Sequence, residues 1–185
     1  MENTISKNIG LIRRVQHILD SNYLLLLYSA FILPFLTYGI QIWGSTYPSK
    51  LSRLTILQKK IVRIIDHAEH LAHTSPLFKK YKILKLPDLV KFMQINVMFS
   101  YITNTLPPIL TEKFVFCPTS QRVVRQAQHF LVPFASSNYR RFSLYIAAPK
   151  VWNTEIAQRI PNINDIPRNK HFFKKVVKKI FLDQY

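Results

Sequence analysis

Apolar residues along this chain recur mostly at helical spacing, and polar clusters cut them into a series of amphipathic segments. Ile9, Ile12, Val15, Ile18 and Leu19 form one stripe, which predicts a helix over Lys7–Leu19 with Arg13, Arg14 and His17 largely on the other side. Asp20-Ser21-Asn22 reads as a stop and restart, each residue a good N-cap for a helix beginning near Tyr23. Residues 23–43 are mostly apolar, and Pro34 must kink the run or start a new piece ending near Trp43. Gly44 to Pro48 is a turn, and Ser49 is placed to cap a helix over Lys50–Asp66. Leu51, Leu54, Leu57, Ile61, Ile64 and Ile65 make its stripe, while Arg53, Lys59, Lys60 and Arg63 take much of the remaining surface.

Beyond Asp66 the pattern is less regular. His67 to Thr74 is polar and predicts an irregular connection. Ser75-Pro76 is an N-cap followed by proline at the first helical position, for a short helix through Lys80. A longer helix is expected over Leu89–Thr103, with Asp88 in its first turn where the helix dipole favours a carboxylate. Leu106-Pro107-Pro108 ends it. From Thr111 to Arg141 periodicity weakens; Val123–Ala127 and Phe130–Phe134 fit short strands or extended loops. Pro149–Asn153 reads as a turn into a short helix through Ile160, Pro161–Pro167 as a loop, and Asn169–Leu182 as a last helix with lysines around Phe172, Phe173, Val176, Val177, Ile180 and Phe181. The expected fold is mainly α, an irregular helical bundle with an extended, loop-rich segment around 111–142. Its expected divisions are 1–66, 67–110, 111–142 and 143–185. No internal repeat or low-complexity tract occurs.

Composition sharpens this picture. The 185 residues suit one domain or two small subdomains, and 48% hydrophobic content predicts a packed structure. Only 3 glycines occur, few for an all-β chain full of tight turns. The 26 Lys and Arg against 9 Asp and Glu give a formal charge of +17, which repels itself unless it meets anions. Nucleic acid is the leading partner class and an anionic membrane surface the second. One cysteine, Cys117, excludes an internal disulfide and a cysteine-rich zinc site, and makes a reducing compartment the default. Residues 23–43 have the length of a membrane span. Ser29, Pro34, Thr37, Gly39 and Gln41 dilute the run, and basic residues on both flanks give no orientation, so a helix buried in protein is expected and a membrane partner is not.

Little catalytic chemistry is visible. No two acids stand together in the setting that two-metal phosphoryl transfer needs. With glycines only at 10, 39 and 44 there is no phosphate-cradling loop. His67, His70 and His73 with Asp66 and Glu69 are the best metal candidates, set against a plain solvated connection, which is the expectation taken here. Tyr47, Tyr81, Phe92, Phe142 and Tyr145 are aromatics for base stacking or, more ordinarily, for the core.

Several blocks carry a family resemblance. Tyr28–Gly44, ending Tyr38-Gly39-Ile40-Gln41-Ile42-Trp43-Gly44, resembles the segment after the polymerase core in non-LTR retrotransposon reverse transcriptases of the jockey and related LINE-like groups. Leu54, Leu57-Gln58-Lys59-Lys60, Val62-Arg63-Ile64-Ile65, His73–Phe78, Ile83–Leu89, Pro149–Asn153 and Phe173-Lys174-Lys175 before Leu182 and Tyr185 are similar to that family too, in order along nearly the whole chain. The resemblance implies the thumb and post-thumb region of an RNA-directed DNA polymerase from a mobile element. Fingers and palm would precede it, and the catalytic aspartates with their Mg2+ would belong to that missing palm. No catalytic residue, metal site or cofactor is therefore expected in this chain, and it should not polymerise DNA alone. A thumb holds a template–primer duplex, which implies phosphate contacts from Lys59, Lys60 and Arg63, with Arg53 beside them. Pro34, Tyr38 and Trp43 match as structural positions. The expected residual role is nonspecific binding of RNA/DNA duplex or single strand, inside the cell in cytoplasm or nucleus. The alternatives are a small basic membrane protein with a span near 23–43, or a non-functional transposon relic.

Overall fold

The computed structural model describes residues 1–116, 130–159 and 167–185. Among these the chain is mainly α, an irregular helical bundle with loops, and its sole extended pairing is one isolated bridge between Phe116 and Phe130. The helices are α1 (Glu2–Val15), α2 (Ser21–Phe31), α3 (Leu33–Thr37), α4 (Ile40–Trp43), α5 (Pro48–Ile65), α6 (Ser75–Lys80), α7 (Leu86–Ile102), α8 (Pro108–Thr111), α9 (Asn138–Arg141), α10 (Leu144–Glu155) and α11 (Lys170–Leu182). They belong to two compact units, neither continuous in sequence. One comprises Met1–Ile40, Thr46–Leu89 and Lys179–Tyr185; the other comprises Gln41–Ser45 and Val90–Lys178. The strands expected at 123–127, Cys117, and the loop expected at 161–166 lie outside the described residues.

In the first unit α1 starts five residues before the expected point. Ile5 extends the Ile9 and Ile12 stripe by one turn, and Glu2 sits in the first turn, where its charge suits the dipole. The helix ends at Val15, which leaves Ile18 79% exposed instead of on the apolar stripe. In α2 and α3 the buried positions are Leu24, Tyr28, Ile32 and Leu36, four apart. Pro34 lies at the start of α3 and lacks the N–H a continuous helix needs, so the apolar run breaks at Ile32, as the proline predicts. Burial covers only one face, however: Tyr23, Leu26, Phe31 and Phe35 are exposed. Tyr38, read as a structural position, is 83% exposed. Among the described residues no helix is long and apolar enough to cross a membrane.

Helix α5 begins at Pro48, two residues earlier than expected, so Ser49 lies inside the helix and does not cap it. Its buried face holds Leu51, Leu54, Ile61, Val62, Ile64 and Ile65, and also a polar residue, Gln58. The Gln58 amide is fully used. Its Nε2 donates to the Leu84 carbonyl (2.9 Å) and to Tyr28 Oη (3.5 Å), and its Oε1 accepts from the Leu86 N–H (2.8 Å). Burial pushes the Tyr28 hydroxyl's pKa upward, and the Gln58 bond offsets part of that rise. A second side chain holds the same stretch. Tyr185 Oη accepts from the Lys85 N–H (2.8 Å) and donates to Asp88 Oδ2 (2.6 Å). Gln58 and Tyr185 thus satisfy N–H groups at the start of α7 that no helical carbonyl can reach.

The second unit is built on aromatic rings. Phe173 of α11 stacks on Phe99 of α7 (4.2 Å between centroids) and lies near Trp152 of α10 (6.2 Å). Trp152 meets Phe130 edge-on (6.0 Å), and Phe130 stacks on Phe116 (4.3 Å). Asn153 fixes Phe130 by its backbone: Oδ1 accepts from the Phe130 N–H and Nδ2 donates to its carbonyl, both at 2.8 Å. Pro149 lies inside α10, against the expected turn. The helix survives the lost Tyr145 acceptor bond because Ile146, Ala148, Pro149 and Trp152 are all buried. Asn169, read as the first residue of the last helix, instead caps α11, its Oδ1 accepting from His171 and Phe172 N–H groups (2.9 and 3.3 Å). Phe172, expected on the apolar face, is exposed; Phe173 and Val177 fill that face.

Gln58→Met keeps the volume of the side chain but strands the Leu84 carbonyl and Leu86 N–H. The expected loss is about 2–6 kcal/mol, roughly 1–3 per stranded group, read as a lower urea midpoint for the transition of the first unit. An unchanged midpoint would show that water replaces the amide without cost.

Candidate nucleic-acid interface

The four phosphate-contact positions implied by the resemblance all lie on α5, but the helix does not present them together. Successive residues on a helix point about 100° apart, and residues three apart share a face. Lys60 and Arg63 line one groove of about 470 Å³, together with Arg13, His17, His67 and His70. Lys59 lies in a second groove of about 330 Å³, which Arg63 also borders. Arg53 lines neither groove; its Nη1 stands 3.8 Å from Glu2 Oε2 with both side chains exposed, a pair worth little in water.

The first groove is assembled by two helix ends and one turn. Arg13 lies in the last turn of α1, with His17 four residues on. Arg63 lies in the last turn of α5, and both arginines therefore sit where the helix dipole favours cations. The chain then reverses. His67 adopts φ 53°, its N–H donates to the Ile64 carbonyl (3.2 Å), and the Ala68 N–H donates to the Arg63 carbonyl (3.0 Å). That is a Schellman-type close, made here without glycine. It returns His67 and His70 to the side of the groove where Lys60 lies. Among the described residues no carboxylate lines the groove. Arg63 is anchored by Nε donating to the Ala72 carbonyl (2.9 Å), and its Nη groups make no ion pair among the described residues.

Sequence reasoning did not place Arg13 or His17 in a site, and weighed His67 and His70 as metal candidates against a plain solvated connection, not as lining of an anion groove. Arg13 and His17, four apart, signal a shared helix face, but no sequence signal says that α5 is their neighbour. Among the described residues no group of three His, Cys, Asp or Glu side chains is arranged to hold a metal ion. His67 and His70 line the first groove and His73 the second. Two of the aromatic stacking candidates are engaged elsewhere: Tyr81 Oη donates to Asp66 (2.8 Å), and Tyr145 packs on Phe114 (6.2 Å). The lysines at 170, 174 and 175 of α11 are exposed and belong to the second unit.

Asp66, next to the groove, is neutralised from the opposite side. Its Oδ1 accepts from Lys80 Nζ (2.5 Å) and from Tyr81 Oη. Burial resists the charge on Asp66, but these two hydrogen bonds and the positive charges of Lys80 and His67 outweigh it, so its pKa lies below the ordinary 3.8. The folded chain thus holds this proton more weakly than the unfolded chain. Stability from Asp66 is present above the ordinary value and is lost as pH falls through the lower folded value. Asp66→Asn is expected to flatten the acid limb of a thermal-stability profile below pH about 4. A wild-type and variant pair with parallel acid limbs would contradict it.

No protein-family model, curated protein or solved structure matches this chain.

Proposed function

We propose that this chain is the thumb and post-thumb piece of a retrotransposon RNA-directed DNA polymerase, whose own property is sequence-nonspecific binding of duplex or single-stranded nucleic acid. The observation that carries the binding is the groove of Arg13, Lys60 and Arg63 with three imidazoles and no carboxylate in its lining. Cations that meet phosphates release counterions, so affinity falls with salt and carries no base code. The charge of +17 adds long-range attraction to a polyanion.

The family half of the proposal rests on the resemblance of Tyr28–Gly44 and the blocks that follow it. The exposed apolar face of α2 and α3, with Leu26, Phe31 and Phe35, supports it, because a thumb packs against a palm that would cover such a face. Catalytic carboxylates and Mg2+ belong to that palm, so the chain alone holds template–primer without extending it. Its place of action is the cytoplasm or the nucleus.

Arg13→Glu combined with Lys60→Glu tests the groove while leaving the Arg63 anchor intact. Binding to a random-sequence duplex at low salt should weaken roughly 10- to 100-fold, and the slope of log affinity against log salt should fall by about two, near 0.9 per lost phosphate contact. Unchanged affinity and slope, measured by fluorescence anisotropy across a salt series, would refute the assignment.

A further inference from the structure

We infer that the second groove beside α5 is a site for a terminal phosphoryl dianion. It goes beyond the nucleic-acid reading and does not depend on it. Three cations border it, Lys59, Arg63 and Lys85, and among the described residues no carboxylate does. Among the described residues none of the three forms an ion pair. Lys85 is held by neutral partners: its Nζ donates to Ser75 Oγ (3.1 Å) and stands 4.0 Å from the centre of the Tyr185 ring. Both contacts position the ammonium without cancelling its charge.

Three hydroxyls lie in the lining, and while Thr55 donates to the Leu51 carbonyl, two remain available as donors. Ser75 Oγ accepts from Lys85, so its own O–H remains a donor. Thr74 is only 7% exposed, borders the groove, and its hydroxyl makes no hydrogen bond among the described residues. That hydroxyl is therefore a free donor at the groove, and an anionic oxygen there would accept from it. His73 adds a further donor at the rim. A volume of about 330 Å³ lies within the range of a small-ligand cleft. A backbone phosphodiester brings one negative charge, whereas a terminal phosphate brings about 1.5 to 2 near neutral pH with three acceptor oxygens. Three uncompensated cations and two hydroxyl donors suit the latter. The phosphoryl group has two sources, a 5′-phosphorylated strand end or a free phosphate.

The test uses the full chain and two probes. Calorimetric titration with inorganic phosphate, against chloride at matched ionic strength, should show saturable one-to-one binding. Lys59→Ala, an exposed position, and Thr74→Val should each weaken it about tenfold or more, the scale of one charge-assisted hydrogen bond, and Lys170→Ala should leave it unchanged. Thermal melts identify any variant that has lost its fold, and Lys59→Ala carries the test alone if Thr74→Val does. A 5′-phosphorylated oligonucleotide that outbinds its 5′-hydroxyl twin assigns the source to strand ends. Equal affinity of the twins, with phosphate still bound, assigns it to free phosphate. Absence of saturable phosphate binding, or binding indifferent to Lys59→Ala, overturns the inference. Phosphate binding kept by Arg13→Glu/Lys60→Glu while duplex binding is lost separates this site from the first groove.

Discussion

One buried amide organises the first unit. Gln58 sits on the apolar face of α5, yet every polar atom of its side chain is matched: Tyr28 on α2, the Leu84 carbonyl and the Leu86 N–H. An amide placed there without those partners would cost several times what one hydrogen bond returns, so the three elements must arrive together. That requirement fixes the register of α5. It also decides which way Lys59, Lys60 and Arg63 point, because they flank Gln58 on the same helix. The Tyr185 hydroxyl repeats the device one residue away, with Lys85 and Asp88 as partners. Burial and the Asp88 bond hold that phenol in its neutral form well into the alkaline range, the lesser pull of the Lys85 N–H notwithstanding.

Local signals in the sequence were faithful where a helix depends on its own residues. The stripe of α5 and Asp88 in the first turn of α7 follow from spacing and helix-dipole chemistry alone, whereas Ser75, read as an N-cap, lies inside α6 with Thr74 at the cap position. Departures arise where a distant partner decides. Pro149 is a helix breaker by local rules, but the burial of Ile146, Ala148 and Trp152 carries α10 through it. Gln58 looks like a surface residue because glutamine usually is; its partners lie 26 to 30 residues away in sequence. Asn153 and Phe130 are 23 apart, and Tyr185 and Asp88 are 97 apart. No periodicity encodes such pairs.

The candidate grooves were legible by half. A basic face on α5 is visible in sequence, and two of its cations do share the first groove. The split between Lys59 and Lys60 follows from helical angle once Gln58 is known to face inward. The histidines were legible as a cluster but not as lining, since their placement depends on a left-handed turn at His67, a residue whose type gives no warning of it. The acidic residue nearest that turn, Asp66, is drawn to Lys80 and Tyr81. The groove stays positive because its natural counter-charge is held elsewhere.

The blocks that carry the family resemblance divide by this logic into two kinds. Trp152 and Asn153 hold Phe130 by ring contact and by two backbone bonds, and Leu86 to Asp88 is held by Gln58 and Tyr185. Side chains bound so completely have no capacity left for a ligand, so a resemblance at these positions reports packing. Arg13 and His17 lie outside every resembling block, yet they complete the first groove. Lys59, Lys60 and Arg63 belong to both sets, inside a resembling block and lining a groove, as do His73, Ser75 and Lys85 at the second groove. Shared packing motifs would keep α5 in place, and its uncommitted cations would then act on whatever anion reaches the grooves beside it.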